Sequence, residues 1–146
     1  MRGDPLPDTD HVSRYCPRLR QTENGQIRGT AFLPKRDEPY LSVFWLEYAK
    51  LPDRSSQVAD IRRRMSESGI TLRGQAKLAI LAIGPLKTSV RSECKRELEV
   101  KHEPDLDDGK YVDQSHSGIY GVTNDDLEIA TYIAEELIES TYPAKI

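Results

Sequence analysis

The segment from Tyr40 to Leu46 has the sequence YLSVFWL, which is rich in aliphatic and aromatic side chains. Such residues favour an extended backbone, because they pack well on a pleated surface. Apolar side chains stand at neighbouring positions, so both faces of the strand are expected to be covered. We therefore predict a central strand at Tyr40–Leu46, with Leu41, Val43 and Trp45 largely buried.

The hydrophobic pattern predicts further strands on both sides of this segment. Gln75–Ile83 is an apolar run bounded by glycines, and Glu97–His102 alternates apolar and polar residues. The dipeptide Asn24-Gly25 is a turn signal, and a hairpin closed there has its return strand at Ile27–Leu33. Ser115–Val122 is expected to be a short strand or a turn.

Two helices are predicted from caps and helical spacing. The first begins at Asp53 or Ser55 and runs to about Ser68, and the second runs from about Asp125 to Ser140. The apolar stripe of the second helix consists of Leu127, Ala130, Ala134, Leu137 and Ile138. The order of elements predicts an α+β fold, with a mixed or antiparallel sheet packed by two helices. Residues 11–146 are expected to form one domain after a disordered lead at residues 1–10.

Composition narrows the class of protein. The chain has 146 residues, and no apolar run approaches the length needed to span a bilayer. The first ten residues are polar, so they do not resemble a signal peptide. Two cysteines, Cys16 and Cys94, do not make a disulfide framework. A cytoplasmic protein without membrane association is expected.

Charge is distributed unevenly along the chain. Residues 1–101 carry 19 basic and 13 acidic side chains, whereas residues 102–146 carry 2 and 11. Such asymmetry is typical of a protein whose basic side binds nucleic acid, and equally of two surfaces that attract each other within one fold.

Two histidines are the candidate catalytic residues. His11 and His116 stand at segment junctions, and a pair across a cleft can act as acid and base in phosphodiester chemistry. His11-Val12-Ser13 is similar to one of the paired His-x-Ser/Thr motifs of two-histidine phosphoesterases. In the second triplet Gly118 replaces the hydroxyl residue. The alternative is that each histidine caps a turn or bonds to the backbone.

Other groups of residues were compared with nucleophilic, metal-binding and phosphate-binding sites. Asp113, Ser115 and His116 form either a nucleophilic cluster or a hydrogen-bonded turn. The histidines and cysteines lack the close ligand pairs of zinc sites, so no metal site is predicted. The acidic loop after Glu103 lacks the spacing of a calcium-binding loop. No glycine-rich phosphate loop is present, and no cofactor is predicted.

Basic residues supply the candidate binding site. Arg14, Arg18, Arg20 and Arg28 lie near Tyr15, and arginine beside an aromatic ring is typical of RNA or phosphate recognition. A site built from His11, Arg14, Tyr15 and His116 is predicted if these segments meet in the fold. Further clusters, at Arg62, Arg63 and Arg64 and at Arg91, Lys95 and Arg96, are either binding patches or solvated surface. The latter cluster flanks Cys94 and is expected to lower its thiol pKa.

The segments HVSRYC, TAFLPKRDEPYLSVFWLEY and DQSHSGIYG together resemble a group of small uncharacterised bacterial proteins. The resemblance implies a place among mobile-element or phage-defence genes and a partner-dependent role. We therefore predict an accessory or interaction protein that acts with the product of a neighbouring gene in its operon. The alternatives are a small His-dependent enzyme acting on a phosphodiester or nucleotide, and an RNA-binding module using Arg14, Tyr15 and Arg18.

Overall fold

The computed structural model describes residues 2–107 and 110–145, and a six-stranded antiparallel sheet forms its centre. The strands are β1 His11–Cys16, β2 Leu41–Trp45, β3 Lys77–Ala82, β4 Glu99–His102, β7 His116–Tyr120 and β8 Ile138–Pro143, and a separate pair is β5 Asp105–Asp107 with β6 Lys110–Asp113. The helices are α1 Arg54–Glu67, α2 Ile83–Cys94 and α3 Leu127–Tyr132, with short 3₁₀ turns at Arg18–Arg20, Gly29–Phe32 and Leu46–Ala49. The strand order is β4-β7-β2-β1-β3-β8. The α+β fold with an antiparallel sheet is confirmed.

The predicted central strand is confirmed as β2. It pairs with β1 on one side and with β7 on the other. Leu41 and Val43 are fully buried. Trp45 differs from the prediction, because it is only half-buried and its Nε1 donates to Oδ2 of Asp10 at 2.9 Å. An indole N–H needs a partner when it leaves water, and this bond holds Trp45 near the end of the sheet.

Helices cover both faces of the sheet. On one face, α2, α3 and the Gly29–Phe32 turn enclose side chains such as Val12 and Leu81. On the other face, α1 packs its buried Val58, Ile61 and Met65 against Phe44 and Leu78. Side chains alternate between the two faces along each strand, so the register decides which side chains of the strands can meet.

Helix α1 follows its prediction closely. Oδ1 of Asp53 accepts a hydrogen bond from the Ser56 N–H at 2.8 Å, which is the expected N-cap. The helix ends at Glu67, and Gly69 takes the left-handed backbone at φ +98° that favours glycine.

The predicted C-terminal helix is confirmed only in part. The expected helix from Asp125 to Ser140 stops at Tyr132, continues as a π-helical turn over Ile133–Leu137 and then becomes β8. Strand β8 pairs with β3, whose backbone groups otherwise have no partner on that side. The need to satisfy this sheet edge outweighs a local helical pattern.

Two further segments differ from prediction. Residues 84–94, for which no helix was predicted, form most of α2, because a proline is tolerated in the first turn of a helix. The expected packing by two helices is thereby corrected to three in the described chain. Ile27–Leu33 is not a strand: Ile27 makes one isolated bridge to Gln21, and a 3₁₀ turn follows.

The lead was expected to be disordered, but residues 3–6 lie along the outer edge of β4, and the Asp8 and Asp10 carbonyls accept from the N–H groups of Gly84 and Ile83. Gly3 N–H donates to the His102 carbonyl at 2.6 Å, and Leu6 N–H donates to the Val100 carbonyl at 2.9 Å. The Leu6 side chain is buried in the core. In the part of the chain described here, no helix is long and apolar enough to cross a bilayer.

Candidate functional site

His11 begins β1 and lies between two carboxylates. Its backbone N–H donates to Oε1 of Glu47 at 2.8 Å, and its Nδ1 lies 2.7 Å from Oε2 of the same residue. Its Nε2 lies 3.4 Å from Oε2 of Glu139, whose other oxygen accepts from Arg54. Both ring nitrogens are therefore occupied by protein groups.

His116 is a packed residue of β7. Its Nδ1 lies 2.7 Å from the Glu103 carbonyl oxygen, and its ring packs against Tyr40 and Phe44 at centroid distances of 5.9 and 5.5 Å. The residue is 9% exposed. This environment matches the alternative of a histidine bonded to the backbone.

The two histidines share a face of the sheet but do not form a cleft. His116 of β7 pairs with Phe44 of β2, and Phe44 pairs with Ser13 of β1. His11 therefore lies two strands from His116 and two residues from Ser13 along β1. Strand spacing and rise place their Cα atoms about 12 Å apart. Phe44 stands in the row between them, and the ring partners of His11 and His116 differ.

Arg14 points to the opposite face from both histidines. Its Nε donates to the Ala31 carbonyl and its Nη1 donates to the Ser42 carbonyl, each at 2.8 Å. Burial lowers the pKa of this guanidinium. Arg14 therefore ties β1 to β2 and to the Gly29–Phe32 turn.

The side chains of Tyr15 and Arg18 make separate contacts. The Tyr15 hydroxyl contacts the backbone of Thr71 and Arg73. Arg18 is exposed and donates to the Thr22 carbonyl. The predicted composite site of His11, Arg14, Tyr15 and His116 is not assembled, because strand alternation and register separate its members.

The Asp113–Ser115–His116 cluster forms a turn. Oδ1 of Asp113 accepts from both the N–H and the hydroxyl of Ser115, at 2.9 and 2.6 Å. Ser115 is fully buried, and the His116 ring bonds to Glu103 instead. Part of the acidic loop after Glu103 lies outside the described residues. Within the described ones, no group of three or more acidic, histidine or cysteine side chains is placed to hold a metal ion.

The basic clusters noted in the sequence are largely paired. Arg62 donates to the Pro143 carbonyl, and Arg63 and Arg64 both contact Asp60. Arg96 pairs with Asp126, and this pairing lowers the pKa of that carboxyl. These contacts engage the four arginines within the fold.

Both cysteine thiols have raised pKa values. Burial raises the pKa of Cys16 to about 12. Partial burial, together with Glu93 and Glu128, raises the pKa of Cys94 above its ordinary value. The expected lowering by basic neighbours was wrong, because Arg96 is engaged with Asp126 and its effect is smaller than that of burial.

We expect iodoacetamide to alkylate Cys94 slowly and to leave Cys16 unmodified in the folded protein, because thiolate is the reactive form and Cys16 is enclosed. Raising the pH towards the elevated pKa should speed the reaction at Cys94. Mass spectrometry of tryptic peptides measures both sites, and unfolding in urea serves as the control in which both react. Equal labelling of the two cysteines in the folded protein would contradict the structure.

On two surfaces of the described chain, charged side chains without an ion-pair partner among the described residues surround an exposed apolar side chain. Leu19 and Leu127 are the large apolar residues that the described chain exposes, at 83% and 51%. Leu19 lies in what we call the basic turn, formed by Arg18, Leu19, Arg20 and Arg28. Leu127 lies in what we call the acidic groove, about 410 Å³ in volume and lined by Leu127, Glu128, Thr131, Tyr132, Glu135 and Glu136. Sequence reasoning missed the acidic groove, since Leu127 was assigned to a buried stripe. It named the arginines of the basic turn as candidate binding residues, but no local signal marked Leu19 as exposed.

Comparison of the chain with protein-family models, with curated proteins and with solved structures finds no match in any of the three. The function is therefore inferred from the geometry and charge of these surfaces.

Proposed function

We propose that the chain is a small cytoplasmic interaction protein whose acidic groove binds a basic segment of a protein partner that carries an apolar anchor residue. The observation that carries the proposal is the exposed Leu127 surrounded by carboxylates without ion-pair partners. Following the resemblance to small bacterial proteins, we place the partner among products of neighbouring genes in a mobile-element or phage-defence locus.

The groove has the composition of a recognition site. Leu127 and the ring of Tyr132 supply apolar area. Covering an exposed leucine by a partner lowers the free energy of the complex, because apolar surface is removed from water. Aromatic and aliphatic anchors at the centre of an interface commonly contribute most of the binding energy. The partner segment is therefore expected to contain an apolar side chain at its centre.

The rim of the groove sets the charge of the partner. Glu128, Glu135 and Glu136 are exposed, and among the described residues none of these carboxylates forms a salt bridge. Like charges held close together attract a segment of opposite charge and speed its association. Lys or Arg on both sides of the apolar anchor complements this rim.

The alternatives have less support from the geometry. A phosphodiesterase needs His11 and His116 in one cleft, whereas the ring nitrogens of His11 face carboxylates and His116 is packed. An RNA-binding module built on Arg14, Tyr15 and Arg18 retains Arg18 alone as an exposed cation, because Arg14 is turned into the protein.

The test uses labelled peptides of defined chemistry and fluorescence anisotropy. We expect a peptide with a central Leu flanked by Lys and Arg to bind the wild-type chain, with affinity falling as salt is raised. The same peptide with Leu replaced by Ser, and an acidic peptide with Leu, should bind at least about tenfold more weakly. The purified product of the neighbouring gene is then tested in the same way.

Matched variants locate the binding surface. Glu135→Lys/Glu136→Lys and Leu127→Asp should each abolish binding of the basic peptide. Asp37→Lys/Glu97→Lys changes net charge by the same amount as the first variant, at exposed positions outside the groove, and should bind nearly as well as the wild type. Equal binding by the groove variants and this control would overturn the proposal, as would a preference for single-stranded RNA over every peptide.

A further inference from the structure

The basic turn is a protruding feature with an apolar centre. Leu19 is the most exposed large apolar residue in the described chain, and it stands in a 3₁₀ turn between Arg18 and Arg20. The Arg28 N–H donates to the Arg20 carbonyl, which keeps the third arginine beside the other two. None of the three guanidinium groups forms an ion pair with a described residue. An apolar side chain between arginines is the chemistry that the acidic groove is proposed to bind.

The basic turn and the acidic groove lie next to each other on the surface. A cleft of about 540 Å³ lies between them, lined by Arg28 on one side and by Thr131 and Glu135 on the other. The backbone at Gly29 approaches α3 so closely that an added Cβ would clash with Oγ1 of Thr131. The two surfaces therefore adjoin along the contact between the Gly29–Phe32 turn and α3.

We infer that the acidic groove of one copy of this chain binds the basic turn of a second copy, in a symmetric dimer. A twofold axis passing near the shared cleft brings each basic turn over the acidic groove of the other copy, so the same contact forms twice and the assembly closes. Leu19 then covers the apolar centre of the groove at Leu127, and Arg18 and Arg20 face Glu135 and Glu136.

The dimer has a consequence for the proposed partner, on whose binding groove this inference rests. A basic partner segment and the basic turn of the second copy compete for one site. Because a ligand shifts an equilibrium by its differential affinity, a segment that binds the free groove shifts the chain towards monomer. In the free protein the basic turn of the second copy is thus expected to cover the acidic groove. A partner segment that binds the groove with higher affinity then displaces it.

Sedimentation equilibrium of the full chain tests the dimer. We expect the wild type to reach twice the mass of the chain in low salt and to dissociate in high salt, since the contacts are charged. Arg18→Glu/Arg20→Glu and Glu135→Lys/Glu136→Lys should each be monomeric with an unchanged circular dichroism spectrum. A wild type that stays monomeric at high concentration in low salt overturns the inference.

Mixing the two charge-reversed variants is the decisive measurement. In the mixed dimer, the reversed turn of one copy meets the reversed groove of the other, and the remaining turn and groove are both wild type. The mixture should therefore recover the dimer mass although neither variant forms it alone. Failure of the mixture to associate, or dimers that survive in both single variants, would show that other surfaces hold the copies together.

The closing experiment separates this inference from the proposed function. Leu19→Asp should be monomeric and should bind the basic peptide more tightly than the wild type, because its groove is open. If the wild type binds the peptide but never dimerises, the dimer is overturned and the proposed function stands. If the wild type dimerises but saturating peptide does not dissociate the dimer, the inference that peptide and basic turn share one site is overturned. Association that requires added RNA assigns the basic turn to nucleic acid and overturns the inference.

Discussion

Replacing Gly118 by threonine is expected to lower the free energy of unfolding by about 3 kcal/mol, at the upper end of the cost of overpacking a core. A Cβ at Gly118 would lie 2.5 Å from Cδ1 and 2.6 Å from Cγ of Tyr40. The Tyr40 ring lies 5.9 Å from the His116 ring and 5.2 Å from the Tyr120 ring, so it covers the glycine between its two neighbours on the same face of β7.

This substitution completes the second His-x-Thr triplet that the sequence lacks, so it also tests the enzyme hypothesis. If the missing hydroxyl were a catalytic deficit, Gly118→Thr would leave stability unchanged and create phosphodiesterase activity. The structure predicts the reverse, because the position is filled by the ring of Tyr40, the residue that precedes β2. The free energy is measured by urea unfolding followed by circular dichroism and tryptophan fluorescence.

Two controls isolate the cause of the loss. Gly74→Thr should change stability by less than about 0.5 kcal/mol, because a Cβ at Gly74 would meet no heavy atom within 4 Å. The double variant Tyr40→Ala/Gly118→Thr should be more stable than the sum of its single effects by about 1 kcal/mol, because the clash is removed. Additive effects would show that the ring of Tyr40 is not what excludes a side chain at position 118.

The local sequence pattern predicted those strands and helices whose conformation depends little on the segments that pack against them. Val43, Phe44 and Trp45 of β2 favour extended backbone. Helix α1 carries its own N-cap at Asp53 and ends close to Gly69. The same reasoning failed at residues 138–140, where the apolar pattern predicts that the helix continues. There the unpaired edge of β3 captures the chain as β8, and that edge lies more than fifty residues away in sequence.

The candidate site was harder to predict than the fold, for two physical reasons. His11 and Arg14 are three residues apart, and in a strand this spacing places them on opposite faces. Treating HVSRYC as a strand would have excluded a common cleft. The separation of His11 from His116 depends on the register of three strands, which no local pattern encodes. The exposure of Leu19 and Leu127 likewise depends on which surfaces the rest of the chain leaves uncovered.

The charge asymmetry of the sequence is resolved in part within the fold. Arg96 with Asp126 and Arg54 with Glu139 join the basic and acidic segments of one copy. The basic turn and the acidic groove remain unpaired next to each other, and their charges are opposite. The interpretation that the two segments attract each other within one fold therefore applies to these paired residues. The unpaired set is the one proposed to bind other chains.

Replacing Arg14 by alanine is expected to lower the free energy of unfolding by about 3 kcal/mol, because the loss of a buried cationic donor leaves its acceptors unsatisfied. The Ala31 and Ser42 carbonyls each accept a 2.8 Å bond from the guanidinium, and these two bonds fasten β1 to β2 and to the Gly29–Phe32 turn. Arg14→Lys should recover only part of the loss, since one ammonium lacks the planar fork that reaches both carbonyls. Arg18→Ala, at an exposed position in the basic turn, should change stability by less than about 0.5 kcal/mol.

The readout that separates a structural from a binding role for Arg14 is the denaturant midpoint measured together with peptide and RNA binding. A structural Arg14 moves the midpoint by the amount stated above and, in conditions where the variant is folded, leaves the affinity of the basic peptide for the acidic groove unchanged. An Arg14→Ala chain that keeps the wild-type midpoint and loses binding of RNA or nucleotide would contradict the structure. That outcome would place the guanidinium on the surface, away from the two carbonyls that enclose it here.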